Sequence, residues 1–147
     1  MRELRRGSHT VYEIHVHVCW VTKYRYDVLV GGVAMRLREL VRQVCEANEI
    51  RILRGHVAKN HVHVLLSIPA RLAVSKMMQY LKGKTSHKMQ MEFPQLRRRY
   101  WGRHLWERGY FCVSVGNVTE EQIKEYIERH DERPHEDEFR IDGEPPA

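Results

Sequence analysis

The stretch KNHVHVLLSIP, Lys59 to Pro69, contains two histidines separated by one valine and followed by an apolar run. A β-strand places residues i and i+2 on one face, so His61 and His63 would point the same way with Cα atoms about 7 Å apart. The letters HVHV also occur earlier, at His15 to Val18. Either copy is a candidate metal site, and the spacing alone does not distinguish them.

Working outward from this stretch, apolar periodicity predicts the other elements of the fold. Strands are predicted over residues 12–20, 50–57, 60–68 and 110–115, and helices over 33–48, from 74 onward, and over 119–131. The order βαββαβ plus a C-terminal helix fits an α+β fold with a ferredoxin-like (RRM-like) antiparallel sheet. We expect a single domain over residues 9–131, with flexible tails over 1–8 and 132–147.

Composition excludes several classes of protein. No apolar run approaches the roughly 20 residues of a membrane helix, and the basic N-terminus lacks the apolar core of a signal peptide. We therefore expect a cytoplasmic protein without a membrane partner. The three cysteines, Cys19, Cys45 and Cys112, include no CxxC pair, which argues against a disulfide framework or a zinc knuckle.

The positive charge of the chain is concentrated in two segments. Lysines and arginines number 25 against 19 acidic residues, a formal net charge of +6, and the excess lies mainly in residues 81–89 and 96–110. In the second segment arginines alternate with Tyr100, Trp101, Trp106 and Tyr110. Cations attract phosphates and aromatic rings stack on unpaired bases, so this composition favours single-stranded nucleic acid. A solvated basic face beside core aromatics is the alternative.

The last predicted helix, NVTEEQIKEYIERHDE, carries a second pair of reactive side chains. Thr119 and Gln122 form a T-x-x-Q capping box at its start. Tyr126 and His130 are four residues apart and would share one face. Considered alone this pair is weak, because such a tyrosine often lies at the core edge and such a histidine often complements the helix dipole.

Together these segments resemble a known family. His61-Val62-His63 on a strand, followed by a helix with Tyr126, resembles the histidine-hydrophobic-histidine (HUH) single-tyrosine nucleases. The resemblance is closest to the TnpA transposases of small bacterial and archaeal insertion sequences, the two-hundred and six-hundred-and-five group, and covers about residues 9–131. The segments that carry it are VYEIHVHVCWVTKYRYDVL, KNHVHVLLSIP, LKGKTSH and LWERGYFCVSVGNVTEEQIKEYIERH.

The resemblance implies a metal-dependent DNA transposase. Tyr126 would attack single-stranded DNA, form a 5′-phosphotyrosine and release a 3′-hydroxyl for later strand transfer. His61 and His63 would bind the metal, and His130 would be the third ligand where the family commonly has glutamine. Mg²⁺ or Mn²⁺ is the family expectation, although three histidines would also suit Zn²⁺ or another transition metal. The earlier HVHV would be structural.

The resemblance also implies partners. The expected substrate is single-stranded DNA with hairpin ends, and the expected assembly is a homodimer whose active site is shared between subunits. Residues predicted to bind DNA are Lys82, Lys84, Lys88, Arg97, Arg98, Arg99 and Arg103. Two alternatives remain open: a non-catalytic nucleic-acid-binding module of ferredoxin-like fold, and a zinc hydrolase that uses His61, His63 and His130 with a metal-bound water.

Overall fold

The computed structural model describes residues 4–116 of the chain. Contacts divide the chain into two compact units, of which Met1–Val115 is the one described below. The predicted C-terminal helix lies outside the described residues, and so do Tyr126, His130 and the acidic tail.

Four long strands and two long helices make up most of the described fold. In chain order the elements are β1 (Arg5–Arg6), β2 (Val11–Tyr12), β3 (His15–Val21), a 3-10 turn (Lys23–Arg25), α1 (Gly31–Ala47), β4 (Arg51–Val57), β5 (His61–Ser67), α2 (Val74–Glu92), α3 (Pro94–Arg99) and β6 (Phe111–Val115). The main sheet has the order β4-β5-β3-β6, and all of its neighbouring strands are antiparallel. The predicted ferredoxin-like fold is therefore confirmed.

One face of the sheet builds the core. The alternate residues of β3 and β5 that are buried are Val16, Val18, Trp20, Val62, Val64 and Leu66. The apolar stripes of α1 and α2 are buried in the same cluster, for example at Leu37 and Met77. Because side chains alternate along a strand, the histidines of both HVHV segments lie on the opposite face.

One predicted strand differs from the structure, and the second long helix has an end that the sequence pattern does not predict. The first predicted strand is divided: β2 ends at Tyr12 and pairs with β1, whereas β3 begins at His15 and pairs with β5 and β6. Alternation continues across this break, so periodicity cannot reveal a change of partner. The second long helix ends at Glu92 because Phe93 precedes Pro94 and takes an extended conformation, with φ −121° and ψ 94°.

The N-terminal segment is attached to the sheet. Arg5, which falls within the predicted flexible tail, lies on β1 and donates hydrogen bonds to Ser67 Oγ at 3.1 Å and to the backbone oxygens of Ser67 and Glu49 at 3.0 and 2.7 Å. Thus at least this part of residues 1–8 has a defined position. Among the helices of residues 4–116, none has the length and apolarity needed to cross a bilayer.

Candidate metal and DNA site

The second HVHV occupies the start of β5, with its histidines on the sheet face away from the core. Val62 and Val64 are buried, whereas His61 is half-buried and His63 is exposed. Strand pairing sets Cys19 of β3 directly opposite His63 and Leu65 of β5 opposite His17. His17 and His63 are therefore diagonal neighbours on this face, within reach of each other.

Each histidine of the pair has a defined partner. His61 Nδ1 lies 2.9 Å from Asn60 Oδ1. Because an amide oxygen only accepts, Nδ1 carries the proton and Nε2 keeps a free lone pair. Such a hydrogen bond to the second ring nitrogen is typical of metal-binding histidines, whose tautomer and orientation it sets. His63 Nε2 lies 3.0 Å from His17 Nδ1, and the two ring centroids are 5.0 Å apart.

His15, the other histidine of the first HVHV, has a different environment. It is 5% exposed, and its Nε2 donates to Glu13 Oε2 at 2.5 Å. The same carboxylate accepts hydrogen bonds from Ser67 Oγ at 2.8 Å and from Arg51 at 3.2 Å. Burial raises the pKa of Glu13, but the hydrogen bonds from Ser67 and His15 and the charge of Arg51 outweigh it, so the pKa is lowered overall. His15 thus belongs to a buried polar network.

The donor set suits a metal ion in part. Two imidazoles on one strand face, one of them oriented by Asn60, are suitable ligands for a divalent ion. Within residues 4–116 no group of three or more histidine, cysteine or acidic side chains is arranged to hold a metal. The described part of the chain therefore contains two of the predicted ligands, His61 and His63, and the predicted third ligand, His130, lies outside it together with Tyr126.

Most residues predicted to bind DNA are exposed, namely Lys84, Lys88, Arg97, Arg98, Arg99 and Arg103. Three of the predicted residues have an intramolecular partner: Lys82, Arg99, and Lys84, whose Nζ lies 5.8 Å from the centroid of the Tyr80 ring.

Lys82 is the first of these. Its Nζ donates to the backbone oxygens of Glu107 and Gly109 at 2.8 and 2.7 Å. Burial lowers the pKa of Lys82, although the Glu107 carboxylate opposes this shift. Arg99, the second, places its guanidinium carbon 4.0 Å from the centroid of the Tyr26 ring, a cation–π contact.

A basic cleft of about 840 Å³ separates α2 from the segment that precedes β6. Lys23, Arg103 and Arg108 are among its lining residues, and so are the imidazoles of His87 and His104. Its dimensions and its charge suit a phosphate backbone. Lys23 was not among the residues predicted to bind DNA, because it lies far from the two basic segments in the sequence.

The comparison with known proteins settles the family. The model of the family described as "Transposase IS200 like" matches residues 10–130, most of the chain. This chain belongs to the IS200-like transposases. The ISDra2 transposase TnpA of Deinococcus radiodurans is 36% identical over 130 residues, which cover 88% of this chain and 93% of that protein. The IS200 transposase of Salmonella typhimurium is 35% identical over 120 residues, covering 82% and 78%.

Solved structures agree with this assignment. A 1.90 Å crystal structure of a Deinococcus radiodurans R1 protein assigned as a transposase has 32% identity and a TM-score of 0.72, covering 86% of this chain and 97% of that one. A REP-associated tyrosine transposase bound to a REP hairpin has 17% identity and a TM-score of 0.55, covering 89% and 69%, and it shows the likeness of fold. The predicted resemblance to TnpA-type transposases is thus confirmed, and with it a role in DNA transposition.

Proposed function

We propose that this transposase cleaves and rejoins single-stranded DNA by the HUH single-tyrosine mechanism. The observation that carries the proposal is the pair His61 and His63 on one face of β5, with Asn60 holding the proton on Nδ1 of His61. This tautomer leaves Nε2 free for a ligand bond. A histidine placed there for packing alone would not need that orientation.

In the proposed reaction the Tyr126 phenol oxygen attacks the scissile phosphorus in line. A P–O bond to tyrosine forms as the P–O3′ bond breaks, which yields a 5′-phosphotyrosine and a 3′-hydroxyl. A phenol has an ordinary pKa of about 10, so its proton must be removed as it attacks, and the departing O3′ must take up a proton to become the hydroxyl. His61, His63 and His130 would hold a divalent ion, Mg²⁺ or Mn²⁺ in our proposal, which stabilises the charge developing on the phosphate oxygens.

The proposed substrate is a strand with a hairpin near its scissile phosphate. The exposed cations of α2 and α3, among them Lys84, Lys88 and Arg97, and the basic cleft beside α2 support phosphate binding. A structural neighbour of the same fold is bound to a hairpin, which favours this choice. We also propose a homodimer with a shared site, since strand transfer needs two cleaved ends held at once.

A denaturing gel of protein incubated with labelled single-stranded DNA and Mn²⁺ tests the mechanism. The unsubstituted protein should form a covalent band, while Tyr126→Phe and His63→Ala should each lower it at least a hundredfold. His9→Ala, at an exposed histidine between β1 and β2, is the matched control and should leave the band unchanged. An adduct formed by Tyr126→Phe would disprove the assignment of the nucleophile.

The same gel separates the two alternatives. Binding without any cleavage would indicate a non-catalytic module, and cleavage without an adduct would indicate a hydrolase that uses metal-bound water. Mixing Tyr126→Phe with His63→Ala under conditions of subunit exchange tests the shared site. Each heterodimer would then regain one intact pairing of nucleophile and metal ligands, so strand cleavage should return without complete strand transfer.

A further inference from the structure

Two exposed aromatic side chains line one small cleft on the described surface. Trp101 is 88% exposed and Tyr24 is 65% exposed, the highest values among the large hydrophobic residues of this part of the chain. Both line a cleft of about 320 Å³ together with Lys23, Tyr100 and Arg103. The lining includes two cations and no carboxylate. Such a surface is complementary to an anion that carries a flat ring.

The two walls of this cleft are fixed to each other by backbone hydrogen bonds. The Lys23 amide donates to the Leu105 carbonyl at 2.8 Å, and the Glu107 amide donates to the Val21 carbonyl at 2.9 Å. Trp106 forms an isolated bridge with Thr22 between these two bonds. These backbone hydrogen bonds therefore fix the segment that bears Trp101 relative to the segment that bears Tyr24.

Trp101 occupies a backbone position where a tryptophan is unfavourable. It follows the C-cap of α3, with the Gly102 amide donating to Arg97 O at 2.8 Å and the Trp101 amide to Arg98 O at 3.3 Å. This is the Schellman pattern, whose left-handed residue is usually glycine. Here that residue is Trp101, with φ 56°. Tyr24 is likewise left-handed, with φ 63°.

Packing accounts for neither position in full: Tyr24 makes one tilted contact with Tyr26, with ring centroids 5.4 Å apart, and Trp101 is almost fully exposed. A left-handed conformation is unfavourable for residues with a Cβ, and a large exposed side chain adds little to the core in return. Glycine at 101 would close the helix with less strain. Strained non-glycine residues that persist on a surface are a feature of binding sites.

We propose that Tyr24 and Trp101 form a stacking site for one unpaired base of the DNA, with Lys23 and Arg103 contacting the phosphates beside that base. The inference rests on the proposed action on single-stranded DNA and adds a site to it. Stacking on an aromatic face accepts any base, so the site would select unpaired over paired DNA rather than one sequence. Lys23 Nζ lies 5.4 Å from the centroid of the Tyr24 ring, so this cation is beside the surface on which the base would stack.

The test measures binding to a labelled DNA hairpin with single-stranded flanks, and to a series in which one flank base at a time is abasic. All variants carry Tyr126→Phe, so that cleavage does not interfere. At one position base removal should weaken binding by roughly 5- to 100-fold, the range expected for one stacked base. Trp101→Gly should weaken binding to the intact strand by the same factor. It should not weaken binding further to the strand that is abasic at that position. Met35→Ala, an exposed apolar residue of α1, is the control and should bind normally.

Thermal unfolding distinguishes binding from folding. Because glycine suits the left-handed position, Trp101→Gly should melt at the same or a higher temperature while it binds less tightly. Trp20 and Trp106 are buried, so iodide quenching of tryptophan fluorescence reports on Trp101 and should fall when DNA binds. Unchanged binding by Trp101→Gly would overturn the stacking site. So would an equal loss of affinity for the abasic strand in the proteins with and without this substitution. Either result would leave the proposed cleavage mechanism intact. If the protein with Trp101 intact does not bind the hairpin DNA at all, both the stacking site and the proposed function fail.

Discussion

The contact between His17 and His63 joins the two copies of HVHV at the candidate metal site. The nitrogen of His63 that faces His17 is Nε2, at 3.0 Å. One nitrogen of this pair must donate a proton to the other, and a nitrogen engaged in that way has no lone pair free for a metal ion. Metal binding through Nε2 of His63 would therefore compete with this hydrogen bond.

At this position we predict that His17→Phe strengthens metal binding. Phenylalanine keeps a ring beside His63 but removes the competing hydrogen bond, whose net value is about 0.5–1.5 kcal/mol, equivalent to roughly two- to tenfold in Mn²⁺ affinity. Isothermal titration with Mn²⁺ measures this without DNA. His9→Phe, at an exposed site, should leave the affinity unchanged. A large loss of affinity in His17→Phe would instead show that His17 is itself a ligand.

The two copies of HVHV have different environments because of residues that their spacing does not reveal. Both copies alternate as predicted, and the buried valines of both were predictable from that alternation. The burial of His15 depends on Glu13, Ser67 and Arg51, which converge from separate segments. The position of His17 depends on the register between β3 and β5. Neither convergence nor register can be deduced from a single strand.

Among the elements, α2 shows how lysines of one helix differ in function. Lys82 crosses to two backbone carbonyls of the segment before β6, whereas Lys84 is exposed, with its Nζ 5.8 Å from the centroid of the Tyr80 ring. The carbonyls of an irregular segment need partners, and Lys82 provides them. Lys82 thus connects α2 to the chain that leads into the last strand.

We therefore predict that the same substitution affects protein stability at Lys82 and DNA binding at Lys84. Lys82→Met should lower the free energy of unfolding by about 1–3 kcal/mol, because the two hydrogen bonds that the charged Lys82 ammonium donates are lost. Lys84→Met should change stability by less than about 0.5 kcal/mol but should reduce the salt dependence of DNA binding by about one ion. Urea denaturation and binding titrations at several salt concentrations measure these quantities. Full stability of Lys82→Met would contradict the structural role.

Elements were easier to predict than the contacts between them. The helix from Val33 to Val44 and the strand at His61 are strongly periodic, and the structure places both close to their predicted bounds. The division between β2 and β3 follows from pairing with Arg5 and Arg6, which the sequence around Tyr12 does not indicate. The sequence pattern does not distinguish Lys82 from Lys84 and Lys88, because it does not show which loop lies opposite each face of the helix.

Across the whole described unit, the network around Glu13 joins segments that are distant in sequence. Its carboxylate binds side chains from β3, β4 and β5, and Ser67 in turn accepts a hydrogen bond from Arg5 of β1. The side chains of Glu13 and His15 are 3% and 4% exposed, so water does not replace these bonds. Ser67 thus links the buried Glu13 carboxylate to the N-terminal hairpin, which Arg5 also holds through the backbone oxygens of Ser67 and Glu49.

This arrangement predicts a dependence of stability on acid. The folded pKa of Glu13 lies below its ordinary value of 4.5, so the stabilisation is complete above the unfolded pKa and is lost as pH falls through the folded pKa. Glu13→Gln should be about 1–3 kcal/mol less stable than the unsubstituted protein at pH 7. The difference should shrink as the pH falls below 4.5 and through the lower folded pKa of Glu13. Denaturation at several pH values, with the exposed Glu46→Gln as control, measures it. A difference independent of pH would contradict the role of the carboxylate.

The order of strands in the sheet also governs when the protein can fold during its synthesis. β3 emerges early, yet its neighbours are β5 and then β6, with Cys19 pairing to Phe111 at the far end of the described chain. At about 5–20 residues per second, the central strand waits on the order of several seconds for its last partner. Until then its unpaired edge is available for misassociation with other nascent chains. The folding of this transposase should therefore be more sensitive to the rate of translation near β6 than near β4.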